Sequence, residues 1–82
     1  MKAEVIVRLK KGVTDPEGSN VHKTLNLLGI DGIKNVKFSK LFEFELEDMD
    51  ESKAQKVLEQ ACTLLLSNPV INDYKIILNR DI

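Results

Sequence analysis

The strongest constraint on the fold is an alternation of apolar and charged residues near the amino-terminal end. Over the range Lys2–Lys10, one parity is apolar and the other is mainly charged, apart from Ile6. The apolar positions are Ala3, Val5, Val7 and Leu9. A period of two places these side chains on one face of a β-strand, and that face must be covered. A chain of 82 residues is expected to form one domain, residues 1–82, with a thin core.

A helix is predicted after this strand and its short connector. Asp15 can accept backbone N–H groups as an N-cap, and Pro16 fits the first helical position because its missing donor costs nothing there. Apolar residues follow at helical spacing, and Gly29 supplies a stop signal. We therefore expect a helix from about Pro16 to Leu28.

A second strand is expected from Ile33 to Glu47. Its apolar residues of one parity are Val36, Phe38, Phe42, Phe44 and Leu46. The stretch from residue 36 onward lacks the residues that make tight turns, so one long, bent strand is preferred to a hairpin. A turn at Ser39-Lys40 is the alternative. Because sheet edges leave backbone groups unpaired, we expect the long strand to pair with a second copy and form a dimer.

A second helix and a last strand complete the chain. Asp48 or Asp50 can cap the helix, and Asp48 with Glu51 fits a capping box. The helix carries an apolar stripe formed by Ala54, Val57, Leu58, Ala61, Leu64 and Leu65. The sequence Ser67-Asn68-Pro69 ends the helix, because the residue before proline is pushed out of helical geometry.

The final strand is predicted over Val70–Leu78, with Tyr74, Ile76 and Leu78 on one face. The tail Asn79–Ile82 is expected to fray. The order β-α-β-α-β predicts an α+β fold related to the ferredoxin-like plan. In it, two helices cover one face of an antiparallel sheet, and dimerisation completes the sheet.

The overall charge argues against several classes of partner. Twelve Lys and Arg residues oppose thirteen Asp and Glu residues, for a formal charge of -1. This balance offers no electrostatic attraction for nucleic acid or an anionic membrane. No apolar run approaches the roughly 20 residues of a membrane span. The single cysteine, Cys62, forms no disulfide framework, and a cytoplasmic location is expected.

Groups that could perform chemistry are sparse. Nothing in the sequence pairs His22 with Cys62 as base and nucleophile, so we interpret the first as a surface or interface residue and the second as a small hydrophobic one. The acids Asp48, Asp50 and Glu51 are interpreted as helix-start residues rather than metal ligands. The sequence therefore predicts no catalytic, cofactor-binding or metal-binding residue in this chain.

The segment Asp15-Pro16-Glu17-Gly18 raises the question of a phosphate-binding loop. A Walker-type loop requires G-x-x-x-x-G-K-[ST], but Gly18 is followed by Ser19 and Asn20. Asp15 and Glu17 also place negative charge where an anion would bind. We interpret the segment as a structural joint between strand and helix.

Two segments of the chain carry distinctive patterns, LKKGVTDPEGSNVHKTLNLLG and CTLLLSNPVINDYKI. The first is similar to the strand, Asp-Pro-x-Gly joint and first helix of the PurS family, the small subunits of phosphoribosylformylglycinamidine synthase. The second is similar to the exit from the second helix of that family. Between them, Ser39 replaces the glycine that usually precedes Lys40. The resemblance covers nearly the whole chain.

The resemblance implies a non-catalytic subunit that acts through partners. It implies a homodimer or higher oligomer, such as a tetramer, and contacts with a large synthetase subunit and a glutaminase subunit. The assembled enzyme of purine biosynthesis converts formylglycinamide ribonucleotide, glutamine and ATP to formylglycinamidine ribonucleotide. It uses ATP and magnesium, and no cofactor is expected in this chain itself.

Two segments are candidate contact surfaces, the loop Lys10–Gly18 and the stretch Asn68–Tyr74. Both carry polar groups that the fold alone does not require. The candidate partner-contact residues are Lys10, Lys11, Asp15, Pro16, Gly18, Asn68, Pro69, Asp73 and Tyr74.

Two other classes of function remain open from the sequence. An ACT-type domain would bind an amino acid or nucleotide at a dimer interface, and its only support is the Gly29–Gly32 turn. A stand-alone acylphosphatase would need an arginine in a phosphate loop, and neither Arg8 nor Arg80 lies in a glycine-rich loop.

Overall fold

A computed structural model describes residues 1–79, and residues 80–82 lie outside the described part. The elements are β1 (Lys2–Leu9), α1 (Pro16–Leu27), β2 (Ser39–Glu45), α2 (Glu51–Ala61) and β3 (Asn72–Leu78), and a π-helical turn, Cys62–Leu66, continues α2. The predicted order β-α-β-α-β and α+β class are confirmed. The predicted fraying of the tail falls mainly on residues outside the described range.

The three strands form an antiparallel sheet in the order β2-β1-β3. In the central strand β1, Val5 lies opposite Phe42 of β2 and Ile76 of β3. The alternation in β1 produces the predicted buried face, because Ala3 and Val5 are 0% exposed and Val7 is 4% exposed. The residues of β3 paired with this face are Tyr74, Ile76 and Leu78, as predicted.

Helix α2 covers this face and completes the core. Its buried residues are Ala54, Leu58 and the following Cys62. Asp50 caps the helix, because its Oδ1 accepts the backbone N–H of Lys53 at 2.7 Å. The predicted Asp48 capping box is therefore wrong. The carboxylate of Asp48 is fully exposed and lies 3.9 Å from the terminal amine.

The predicted apolar stripe of the second helix is only partly correct. Val57, Leu64 and Leu65 are 38%, 76% and 82% exposed, whereas Leu66 packs against the core. For Leu64 and Leu65 the reason is the π-helical turn, in which the backbone N–H of Ser67 donates to the Cys62 carbonyl at 2.9 Å. A π turn contains more residues than an α turn, which shifts the side chains around the axis. As a result, the side chain of Leu66, and not those of Leu64 and Leu65, packs against the core.

For the second strand, the preferred interpretation of one strand rather than a hairpin is confirmed, but the strand is shorter than predicted, and the alternative turn at residues 39 and 40 is wrong. The strand starts at Ser39 rather than Ile33, and residues 39 and 40 open the strand instead of forming a turn. At the two ends of the preceding segment, Ile33 bonds to the first helix and Phe38 bonds to its cap, and neither pairs with β1. Since β2 has seven residues, its length no longer supports extension into a second subunit.

The third strand also begins later than predicted, at Asn72 rather than Val70. The preceding residues form a closed turn around Asn68. Its carbonyl accepts the N–H of Asn72 at 2.7 Å, and its side-chain oxygen accepts that of Val70 at 3.0 Å. These bonds remove residues 68–71 from the sheet.

Helix α1 occupies the predicted range but does not pack on the sheet. Leu28 caps its carboxyl end, followed by Gly29 in a left-handed conformation at φ +79°. Only Gly18 of the helix is buried, and Leu27 is 78% exposed. The predicted layer of two helices is thus formed by α2 alone. The Cα radius of gyration of 16.0 Å exceeds the roughly 12 Å expected for a compact chain of this length.

Candidate functional site

The two predicted contact segments meet at one end of the sheet. The backbone N–H of Lys10 donates to the Ile71 carbonyl at 2.8 Å. The side-chain amide of Asn72 donates to the Arg8 carbonyl, 64 residues away in the chain, at 3.4 Å. Strand β1 ends here, and β2 and β3 begin here. We call this surface, residues 8–18, 37–40 and 66–74, the loop end.

Asp15 ties the start of α1 to the start of β2. Its Oδ1 accepts the backbone N–H of Gly18 at 2.9 Å, which confirms the predicted N-cap. Its Oδ2 accepts the N–H of Phe38 at 2.8 Å. The pKa of Asp15 is lowered, first by the bond from Phe38 and then by that from Gly18, because both favour the ionised form. One carboxylate therefore holds two segments together.

Gly18 lets the helix approach the segment before β2. A Cβ atom at this position would lie 2.4 Å from the Val36 carbonyl oxygen and 2.7 Å from Asp15 Oδ2. No larger residue fits without a backbone shift. Together with Pro16 at the first helical position, these contacts confirm the prediction of a structural joint.

His22 continues this attachment one turn further along α1. Its Nε2 lies 2.8 Å from the Ile33 carbonyl oxygen, and since a carbonyl only accepts, the ring nitrogen donates. The side chain is half-buried. The contact assigns the histidine a structural role that the sequence did not reveal. We call Asp15, Gly18 and His22, with residues 33–38, the α1 joint.

Three shallow grooves surround the loop end, with volumes of about 440, 280 and 320 Å³. Predicted contact residues that line them are Lys10, Lys11, Asp15, Pro16, Pro69, Asp73 and Tyr74. The other two serve the fold. Gly18 is buried in the α1 joint, and Asn68 closes the turn before β3. The structure thus gathers seven predicted residues on one surface.

Sequence reasoning missed three basic residues of this surface. Arg8 lies near the end of β1, and Lys37 and Lys40 lie at the start of β2. Antiparallel pairing brings Arg8 and Lys37 into one groove with Lys10 and Lys11, and Lys40 lines a second groove that shares Asp15 and Phe38 with the first. Within residues 1–79, none of the five has a carboxylate within 4.0 Å. The sequence does place cations near the end of β1 and the start of β2. Because antiparallel pairing brings these two points together, this pattern could have identified the three residues.

The chemistry of the remaining candidate residues is limited. Cys62 is buried, and its pKa is raised, mainly by loss of hydration and secondarily by Glu59. A raised pKa keeps the thiol protonated and weakly nucleophilic. In the part of the chain that the structure describes, no three His, Cys, Asp or Glu residues are grouped to hold a metal ion. No helix over residues 1–79 is long and apolar enough for a bilayer.

A family model and related proteins of known name match this chain over nearly its whole length. A family model described as PurS, phosphoribosylformylglycinamidine (FGAM) synthase, matches residues 2–80. The PurS subunit of that synthase from Methanocaldococcus jannaschii is 44% identical over 75 residues, covering 92% of this chain and 90% of that protein. The PurS subunit from Archaeoglobus fulgidus is 40% identical over 77 residues, covering 94% and 96%.

Solved structures show the same fold. The crystal structure of Methanocaldococcus jannaschii PurS superimposes with a TM-score of 0.83 at 44% identity, covering 92% of this chain and 90% of that one. A chain in the structure of PurLQS from Thermotoga maritima gives a TM-score of 0.83 at 28% identity, covering 92% of both chains. Sequence and structure agree that this chain belongs to the PurS family.

Proposed function

We propose that the chain is the small, non-catalytic subunit of FGAM synthase in purine biosynthesis. The observation that carries this proposal is the family match over residues 2–80, together with 44% identity to a protein named as that synthase's PurS subunit. The assembled enzyme converts formylglycinamide ribonucleotide, glutamine and ATP to formylglycinamidine ribonucleotide. ATP and magnesium are used by the assembled enzyme, and the reaction takes place in the cytoplasm.

The role of the chain is to hold the synthetase and glutaminase subunits together. A PurLQS structure from Thermotoga maritima contains a chain with this fold. We assign these contacts to the loop end, because the two predicted contact segments lie next to each other there and line three grooves. The buried, protonated Cys62 and the bonded His22 are consistent with a structural role.

The chain acts as a dimer or tetramer. Large apolar side chains stand exposed on the single protomer, with Leu27, Leu28, Leu64 and Leu65 between 70% and 82% exposed. Exposed apolar groups of this size mark association surfaces. The elongated shape, 49 × 29 × 15 Å, also leaves little core for one chain alone.

The alternative of an ACT-type ligand site finds no support in its one candidate loop. Gly29 and Gly32 have φ values of +79° and +91°, and a Cβ built at either meets nothing within 4 Å. The Gly29–Gly32 turn is therefore an open bend with no wall against which a small ligand could be enclosed.

Reconstitution tests the proposal directly. The native synthetase and glutaminase subunits are mixed with and without this chain, and glutamine-dependent formation of formylglycinamidine ribonucleotide is measured. We expect full activity with the chain, little without it, and no turnover by the chain alone. Equal activity in its absence, or turnover by the isolated chain, would show that the proposed role is wrong.

A further inference from the structure

The charges of this chain are separated toward the two ends of the sheet. The loop end carries Arg8, Lys10, Lys11, Lys37 and Lys40. The opposite end, where β2 finishes and α2 begins, carries Glu43, Glu45, Glu47, Asp48, Asp50 and Glu51. We call these six the acidic end. The loop end also contains three acids, Asp15, Glu17 and Asp73, so its excess is two positive charges, which the rest of the chain offsets in the formal net charge of -1.

The cations of the loop end are available to a partner. Among residues 1–79, the one ion pair joins the amino terminus to Asp48 at the acidic end. Of the acids near the cations, Asp15 already accepts two backbone N–H groups, while Glu17 and Asp73 are exposed. Five cations against three carboxylates leave a positive potential, which attracts negatively charged surfaces.

Apolar side chains stand exposed among these cations. Phe38 is 42% exposed, Val70 77% and Tyr74 37%. Aromatic anchors with a polar, charged rim are typical of protein interfaces. A small anion would use the cations but would leave these apolar groups in water. The combination favours a protein surface as the occupant.

We propose that the loop end docks onto an acidic surface of a larger subunit of the same synthase. Lys11 and Lys37 pair with partner carboxylates at the rim, and Val70 and Tyr74 fill an apolar centre. This inference rests on the proposed function. It adds the chemistry of the partner surface, and it assigns a contact role to Lys37, which the sequence did not single out.

The test is a pair of double charge reversals on opposite ends. The variant K11E/K37E changes two exposed cations of the loop end, neither of which makes a side-chain hydrogen bond within residues 1–79. The matched control, E47K/D48K, makes the opposite changes at two exposed positions of the acidic end. Lys37 lies beside Asp15 of the α1 joint, so circular dichroism, thermal melting and hydrogen exchange of α1 are used to confirm that both variants are folded with this joint intact before binding is measured.

Binding to the immobilised synthetase–glutaminase pair is measured at 50 and 300 mM salt. We expect wild-type affinity to fall about tenfold or more between these salts, because screening weakens contacts between charged surfaces. The K11E/K37E variant should bind at least tenfold more weakly than wild type at low salt and lose most of the salt dependence. The E47K/D48K control should stay within about twofold of wild type.

Other outcomes would overturn the inference in distinguishable ways. Wild-type binding by K11E/K37E would reject the acidic docking surface while leaving the proposed function intact. Failure of the wild-type chain to bind at all would reject both. An equal loss in E47K/D48K would show that the effect is not specific to the loop end.

A change of oligomeric state in K11E/K37E, seen by sedimentation, would identify a second copy as the occupant. Saturable binding of pyrophosphate at the loop end with unaltered subunit binding would identify an anion site.

Discussion

The two helices of this protein are attached to it by different forces. Helix α2 packs Ala54 and Leu58 against the face of the sheet, where both side chains are at most 1% exposed. Helix α1 is held by the α1 joint, whose contacts are two carboxylate bonds, one histidine bond and one close backbone approach. Burial stabilises α2 in proportion to the apolar area removed from water, whereas α1 depends on a few geometric contacts.

The difference shows how a small chain can reserve apolar surface for assembly. A helix held by hydrogen bonds at one edge does not need to bury its own leucines, so Leu27 and Leu28 remain exposed. The core that folds the protomer and the surface we assign to oligomerisation are thus built from different elements. Substitutions in the α2 core, in the α1 joint and at the exposed leucines therefore test the two kinds of attachment separately.

The largest effect is expected at the centre of the α2 core. Leu58→Ala should lower the free energy of unfolding by about 2–5 kcal/mol, because it leaves a cavity among fully buried side chains. Urea denaturation followed by circular dichroism measures this change. The control Val57→Ala, at a 38% exposed position on the same helix, should cost clearly less. Equal losses at the two positions would contradict the assignment of the α2 face.

A smaller effect is expected in the α1 joint. Gly18→Ala should cost about 1–3 kcal/mol, because the new methyl group meets the Val36 carbonyl at 2.4 Å and forces the backbone apart. Hydrogen exchange should show faster exchange in α1 with β1 still protected, since the sheet core is untouched. The neighbouring Ser19→Ala, at an exposed position, is the control. Uniform loss of protection in both variants would refute the separation of joint and core.

The carboxylate of the joint predicts a pH dependence. The pKa of Asp15 is lowered in the folded chain, so its stabilising bonds are present above the unfolded value, about 3.9, and are lost as pH falls through the folded value. Asp15→Asn keeps one acceptor oxygen but cannot accept both N–H groups in the same way. We expect the variant to be less stable than wild type at pH 7, with the difference shrinking below about pH 4.

Urea midpoints at pH 7 and pH 3 measure this difference between wild type and variant. Asp31→Asn, the same chemical change at an exposed residue, is the control and should show no comparable pH-dependent difference. If the difference in stability between wild type and Asp15→Asn instead grows on acidification, its sign is opposite to that expected. The ionised carboxylate would then be excluded as the source of the stability.

The parts of the fold that the sequence predicted depend on neighbours along the chain. The alternation of β1 and the capping by Asp15 involve residues within one strand or one turn, so local patterns are sufficient. The start of β2 was missed because the acceptor for the Phe38 N–H is 23 residues away. No local pattern reveals that a helix cap will also remove a segment from the sheet.

The candidate site shows the same limit. Lys10 and Lys11 lie in a recognisable loop, but Arg8 and Lys37 become part of the same surface only through the pairing of β1 with β2. The exposed Leu64 and Leu65 were predicted as core residues, because an α-helical period does not anticipate the π turn that directs them outward. Pairing register and helix irregularities were the missing information.

The smallest effect on the protomer, and the most informative about assembly, is expected at those exposed leucines. Leu64→Lys should change the free energy of unfolding of the monomer by less than about 0.5 kcal/mol, because the side chain is 76% exposed. Sedimentation velocity should nevertheless show a shift toward smaller species, since a buried charge disfavours an apolar interface. Gln60→Lys adds the same charge at an exposed position of α2 and is the control. If both variants sediment like wild type, the outward face of the π turn does not form the oligomer interface, and the exposed leucines of α1 must be tested in its place.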